Sequence, residues 1–501
     1  MTNLSSEMPV TSPSVAERFQ SIPRKQLTVL LLGPVITLVM LAFDPPGNIS
    51  PEAWRLLALV AWMVVWWMTE AAPVPVTALL PIPLMPLMDI VGQKVVTANY
   101  GHPLIFLFLG GFLIASAMQR WGLHKRIALN IVNLLGGSAV SIIGGFMLAT
   151  AFLSMWISNT ATTVMMFAVG ISIIDLVSEK LDDKKQVRTF AVALLLGIAY
   201  SASIGGVGTL IGTPPNTLLA SFLMDSYGIE IDFSTWMLMG IPIVIIMLPL
   251  TWYLLTRVFF PVGDLNIFSD RSFFQDEIRQ LGLMSRGERI VAVVFVMTAL
   301  SWILRKWIVE WTGLAISDTS IAMMSAVLMF VIPASVQRGT FTIEWEATKN
   351  IPWGVLFLFG GGLSLAGAFK STGLAADIGA LVAGMDAVAI SMYIFVTIAA
   401  IIFLTEVTSN TATTATFLPV LGAVAIGLGV DPLVLTVPAA LAASMAFMMP
   451  VATPPNAIVF SYENLHIADM MKAGLWLNIL TIVLVYAAMH LLAPWVFGIT
   501  L

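Results

Sequence analysis

The chain has 501 residues, 58% of them hydrophobic and 10% charged, against about 45 to 50% and about 25% in soluble domains, which excludes a soluble globular enzyme. Its net charge of −5, from 23 Lys+Arg and 28 Asp+Glu, offers no basic stripe for nucleic acid. Cysteine is absent and no two of the four histidines lie at metal-ligand spacing, so disulfides, thiolate metal sites and cysteine nucleophiles are excluded.

The N-terminus through Lys25 is polar and rich in Ser and Pro. It leads into an apolar run, Leu27 to Phe43, that lacks a cleavage site and reads as a retained first span. Further runs bounded by charged residues or Pro/Gly follow near 52–69, 74–91 and 103–119. The next, 127–177, is too long for one crossing of roughly 20 residues, and basic clusters flank it: Arg120/Lys125/Arg126 and Lys180/Lys184/Lys185/Arg188. The positive-inside rule puts both ends in the cytoplasm, so this run enters and returns as a re-entrant hairpin. Runs near 189–225, 235–260, 288–304, 317–335 and 352–369 come next. A second overlong run, 378–430, lies in a stretch, Ser371 to Met471, without Lys or Arg, as an excursion opening to the external side would. Runs at 433–460 and 472–498 close the chain. With a cytoplasmic N-terminus, only Arg55, Lys94, Arg305, Lys306 and Lys370 among the 23 Lys+Arg fall outside cytoplasmic segments. The expected fold is an all-α polytopic membrane protein with about 11 transmembrane helices and two re-entrant hairpins.

The halves repeat. Phe108 to Leu123, FLGGFLIASAMQRWGL, aligns with Phe359 to Leu374, FGGGLSLAGAFKSTGL, at an offset of 251 with seven of 16 positions identical. Ser158-Asn159-Thr160-Ala161-Thr162-Thr163 recurs as Ser409-Asn410-Thr411-Ala412-Thr413-Thr414 at the same offset. Gly212-Thr213-Pro214-Pro215-Asn216 recurs as Ala452-Thr453-Pro454-Pro455-Asn456 at an offset of 240. Three blocks in one order on halves of opposite topology form an inverted repeat, a construction of secondary transporters.

Polar residues inside apolar runs are costly, and non-helical backbone at membrane depth is tolerated only where protein or a water-filled cavity receives it. Each SNTATT block sits where a hairpin would turn. Each TPPN block must break its helix, because Pro removes a donor and restricts the residue before it. Broken helices offer free N–H groups to anions and free carbonyls to cations. No Lys, Arg or His lies beside any of the four motifs, so an anion bound there needs a cation from elsewhere. Carbonyls, hydroxyls and amide oxygens without carboxylates suit Na⁺ better than Mg²⁺ or Ca²⁺. Taken singly, the Ser, Thr and Gly residues, including Gly110/Gly111 and Gly361/Gly362, serve helix packing; the duplicated motifs together mark a site. Glu406, three residues before the second SNT, is a candidate by location, but its repeat equivalent is Met155, so a structural ion pair or hydrogen bond weighs at least equally. Asp175, Asp318 and Glu70 read as solvated or capping at membrane edges. The spans hold no His/Glu or paired-Asp set for an intramembrane enzyme.

Paired SNT motifs with paired (G/A)TPPN motifs resemble the divalent anion/sodium symporter family, as do Trp66 to Ala71 (WWMTEA), Leu109 to Phe112 (LGGF) and Trp121 to Arg126 (WGLHKR). The resemblance implies a sodium-coupled importer of small dicarboxylates such as succinate, fumarate or malate in a bacterial inner membrane, the alternatives being a dicarboxylate exchanger or a citrate or sulfate carrier. It also implies a homodimer working by an elevator mechanism, with a cytoplasmic tail (1–25), scaffold repeats (26–126 and, with a cytoplasmic connector, 261–377) and transport repeats (127–260 and 378–501). Carried over by motif, one sodium ion would meet Ser154, Ser158, Asn159 and the Gly212 carbonyl, and a second would meet Thr405, Thr408, Asn410 and the Ala452 carbonyl. The substrate would meet Asn159, Thr160, Asn410 and Thr411, with Thr213, Pro214, Thr453 and Pro454 lining the pocket.

Overall fold

The computed structural model describes residues 24–47, 49–135, 138–263, 272–383 and 389–500; the expected tail lies outside these up to residue 23. Eight described helices are long and apolar enough to cross a membrane, among them Asn159–Lys180, Lys184–Gly206, Arg286–Thr312, Trp353–Ser371 and Ile467–Leu491. Shorter apolar helices, such as Ala139–Ser154, Asp318–Val331 and Ile390–Thr405, pack among them. Helix starts follow local chemistry: Ser50, Asp183 and Ser285 cap Pro51–Thr69, Lys184–Gly206 and Arg286–Thr312 through their side-chain oxygens.

Each overlong run resolves into more than a hairpin. Leu123–Leu135 precedes the arms Ala139–Ser154 and Asn159–Lys180, and Leu374–Ala383 precedes the arms Ile390–Thr405 and Asn410–Gly427. The boundary is glycine chemistry at the end of the first repeated block. Gly122 and its equivalent Gly373 have φ of 70° and 80°, the left-handed conformation that ends a helix at little cost only in glycine. Both TPPN spans are broken as expected: Lys184–Gly206 from Pro214–Tyr227, and Leu433–Ala443 from Pro454–Phe460.

Small residues set the packing distances. A methyl on Gly110 would meet Ala322 Cβ at 2.7 Å, and one on Gly361 would overlap the Ala78 carbonyl. A methyl on Gly205 would overlap the backbone of Ala151, so the first broken span lies directly on the first hairpin arm. At that hairpin's tip, Trp156 stacks on Phe233 and Trp302 with centroids 6.0 and 6.5 Å away.

Three expectations need correction or narrowing. The run 74–91 is not one helix but Val74–Thr77 and Pro81–Leu87, because Pro75, Pro81, Pro83 and Pro86 deprive it of backbone donors. Asp318 is not solvated but takes the capping alternative: buried and 3.0 Å from Arg305 Nε, it accepts the N–H of Phe233, the first residue of Phe233–Tyr253, since the chain reversal after Arg286–Thr312 returns it to that helix. Among the described residues, a two-stranded antiparallel ribbon, Pro333–Ser335 with Thr340–Phe341, interrupts the otherwise helical fold.

Candidate functional site

Four helices begin at one cavity of about 790 Å³. They are Asn159–Lys180, Asn410–Gly427, Pro214–Tyr227 and the shorter Pro454–Phe460, whose N-caps Ser158, Ser409, Thr213 and Thr453 all line it. Asn159, Thr160, Gly212, Pro214, Asn410, Thr411, Ala452 and Pro454 line it too. Residues 251 and 240 positions apart in sequence thus meet across one space. Phe108 and Phe112 add an apolar wall. No Lys, Arg or His is among the lining residues, so the positive potential comes from helix N-termini, each worth roughly 0.3 to 1 kcal/mol for an anion.

Behind the SNT motifs the two repeats build the same cluster. The Ser154 hydroxyl, fully buried at the end of the first arm, donates over 2.7 Å to the Ala202 carbonyl and contacts one end of the Asn159 amide. That end of the Asn159 amide also lies 3.2 Å from the Gly212 and Ala202 carbonyls. One hydroxyl, two carbonyls and an amide end therefore converge; turned as NH₂ the amide shares its two N–H groups among the three, and turned as oxygen it completes a four-oxygen set fit for a hard monovalent cation. In the second repeat the Thr405 hydroxyl reaches Asn410 Oδ1 over 2.7 Å and the Ala443 carbonyl over 3.2 Å. Thr408 departs from the expected set, because its hydroxyl donates to the Leu404 carbonyl and pairs with Thr413 away from the cavity. The hydroxyl in the place equivalent to Ser158 is that of Ser409, which makes no capping bond.

The cavity has a rim on one face. Glu70 and Asn350 are exposed there, and Gly354 packs on Pro75. Arg120, bound to Glu344 at 2.7 Å, and Lys349 lie toward the same end. The opposite end of helix Pro103–Arg120 is held differently: His102 contacts Asp225 at 3.1 Å, and Lys370 Nζ donates to the Ser226 carbonyl over 2.8 Å.

Residues 24–499 match the sodium:sulfate symporter transmembrane region. The chain belongs to that family. Sodium-dependent dicarboxylate transporters SdcS of Staphylococcus saprophyticus and Staphylococcus aureus are 42% and 41% identical to it over 480 and 481 residues, 95% of this chain and 92% of theirs. The YdaH transporter of Alcanivorax borkumensis and MtrF of Neisseria gonorrhoeae, the latter titled an antimetabolite efflux pump, share its fold with TM-scores of 0.53 and 0.54. Their identity is 12%, and the matches cover 95% and 96% of this chain and 98% and 96% of theirs. The family read from the doubled motifs is thus the one found, a family of membrane transporters and not of enzymes.

The sequence reading missed one feature of this family member and left the partners of another unassigned. The TPPN asparagines are staples: Asn216 Nδ2 donates to the Gly206 and Thr209 carbonyls over 3.2 and 2.8 Å, and Asn456 Nδ2 to the equivalent Ala446 and Met449 carbonyls over 3.3 and 3.0 Å. They hold each break in shape, in the first repeat just before Gly212, whose carbonyl faces the SNT cluster. Their place at the offset of 240 was the available signal. Glu406 is the second feature. Buried and 4% exposed, its carboxylate accepts the N–H groups of Phe447, Met448 and Met449 over 2.7 to 3.0 Å and Asn478 Nδ2 over 2.7 Å. The hydrogen-bonding reading of Glu406 holds, and its place is the break of the second span. Glu406→Ala will leave those buried donors unpaired and lower unfolding free energy by about 3 kcal/mol, read as a lower Tm of the purified protein in detergent. Glu406→Met, although it copies Met155, will do the same.

Proposed function

We propose that the chain imports small dicarboxylates, succinate, fumarate or malate, across a bacterial inner membrane in symport with sodium. The observation that carries this reading is the convergence of four helix N-termini on a cavity without a basic side chain, next to two clusters of neutral oxygens. Desolvating a carboxylate costs several kcal/mol, more than one helix end returns. A sodium ion about 6 Å away adds roughly 3 kcal/mol at an effective dielectric of 20, so cation and anion each make the other's binding favourable. The name of the Staphylococcus relatives supports the same pairing of ion and substrate.

In this reading the first sodium ion uses Ser154, Ser158, Asn159 and the Gly212 carbonyl. The second uses Thr405, Asn410, the Ala452 carbonyl and the Ser409 hydroxyl in place of that of Thr408. The substrate carboxylates meet Asn159, Thr160, Asn410 and Thr411. The rim at Glu70 and Asn350, on the end rich in basic residues, is cytoplasmic by the positive-inside rule, so the cavity opens inward. Import then follows an elevator movement of residues 127–260 and 378–501 against a dimeric scaffold, 26–126 and 261–377.

Proteoliposomes offered labelled succinate, citrate and sulfate, with and without an inward sodium gradient, test the proposal. Saturable, gradient-driven succinate uptake is expected; uptake of sulfate or citrate in its place overturns the substrate assignment. Thr160→Ala and Thr411→Ala will each weaken succinate binding by about 1 kcal/mol, a typical net hydrogen bond, read as a roughly fivefold rise in half-saturation.

A further inference from the structure

We propose that Glu70 is a selectivity residue on the release side, a fixed negative charge that weakens dianion binding when the cavity opens to the cytoplasm. The inference rests on the transport reading above. Glu70 is the single ionisable residue among those lining the cavity. Its carboxylate has no ion pair or hydrogen bond among the described residues; of the cations on the same end, Arg120, Lys125 and Arg126 are each paired with a carboxylate and Lys349 is exposed without contacting Glu70. A negative charge beside the path of a dianion is the opposite of what capture requires. It suits release.

The backbone is specific about where the charge sits. Glu70 ends helix Pro51–Thr69 with φ 49° and ψ 32°, a left-handed conformation that glycine or asparagine adopts more readily than glutamate. Ala71 and Ala72 beyond it are buried and Pro73 follows, so the chain turns sharply into the cavity wall at Val74 and Pro75. A helix end needs no carboxylate here, because the C-terminus of a helix carries the same sign of partial charge. The residue is thus unfavourable for its own helix and for local backbone geometry, yet it faces the one space through which substrate leaves.

Glu70 belongs to the scaffold half of the rim, with Val74, Asn350 and Gly354, while the SNT and TPPN motifs belong to the moving half. Its repulsion therefore acts on substrate in the inward-open state and fades as the motifs move away. Lower affinity on the inner side speeds release and leaves capture from outside untouched. Reversibility fixes the kinetic form of the effect: if binding in one state alone changes, kcat/KM from either side stays constant while half-saturation and maximal rate from the cytoplasmic side move together.

The experiment compares wild type, Glu70→Gln and Glu70→Asp in sidedness-sorted vesicles with equal sodium on both faces, measuring succinate flux from each face at low and high ionic strength. Glu70→Gln is expected to lower half-saturation from the cytoplasmic face threefold to tenfold and to lower the maximal rate in proportion. In high salt the difference from wild type shrinks, because a rim charge is screened. Glu70→Asp keeps the wild-type asymmetry. If Glu70→Gln does not fold, Glu70→Asn, which suits the left-handed backbone and also removes the charge, takes its place with the same expected result. Unchanged half-saturation, an equal change in kcat/KM from both faces, or a change insensitive to salt overturns the proposal. A wild-type protein without saturable succinate flux overturns the transport reading instead.

Discussion

Asn159→Ala and Asn410→Ala will each reduce sodium-driven succinate uptake at subsaturating substrate by at least about a hundredfold, while leaving folded protein. Each amide stands at two junctions. It meets the buried hydroxyl at the end of its hairpin arm, Ser154 or Thr405, and it lines the cavity where the substrate carboxylates are proposed to sit. Hydrogen bonds to charged groups are worth about 1.5 to 3 kcal/mol each; losing one to the ion and one to the anion therefore removes roughly 3 to 6 kcal/mol. Neither change touches the core of a helix, since both residues are the first of their helices, so thermal stability will fall by far less than activity. Uptake per folded protein, set beside the Tm of each purified variant, separates the two quantities. Wild-type uptake in either variant would remove that residue from the site.

Replacing external sodium by choline will abolish concentrative uptake, and with sodium restored the rate will rise more steeply than first order in its concentration. The cavity holds four helix N-termini and no cationic side chain, so a desolvated dianion there depends on the co-bound ions for most of its compensation. Two clusters of neutral oxygens, around Asn159 and Asn410, are the separate places proposed for the ions. Linkage requires that succinate tighten sodium binding by the factor by which sodium tightens succinate binding, and calorimetry in both orders of addition measures the two factors. Uptake that persists in choline and accelerates with internal dicarboxylate would make this family member an exchanger.

Much of the molecule was legible along the chain because its determinants are local. An apolar run of given length and the Pro-Pro of each broken span act on their own neighbours, so Pro214 and Pro454 were read without a partner, whereas the helix ends at Gly122 and Gly373 were not read. The hairpin tips were legible for the same reason. Where several prolines crowd one apolar run, as between Val74 and Leu87, local chemistry also decides the outcome, and length alone misled.

The sequence by itself determined the membrane class, the family and the two pairs of motifs, because composition, helix-breaking residues and repetition need no knowledge of packing. Only the tertiary structure decided that the four N-caps meet at one cavity, since they are separated by up to 295 residues (Ser158 to Thr453) and meet through helix packing at Gly110, Gly205 and Gly361. It also decided that, in the turn between Ile390–Thr405 and Asn410–Gly427, Thr408 spends its hydroxyl on Leu404 and Thr413 while Ser409 lines the cavity. Glu406 finds its donors 41 to 72 residues away, and Glu70 shares one cavity with Asn350 and the TPPN loops. A polar or charged side chain acquires its role from whichever distant groups desolvate and face it, and that is a property of the packed chain.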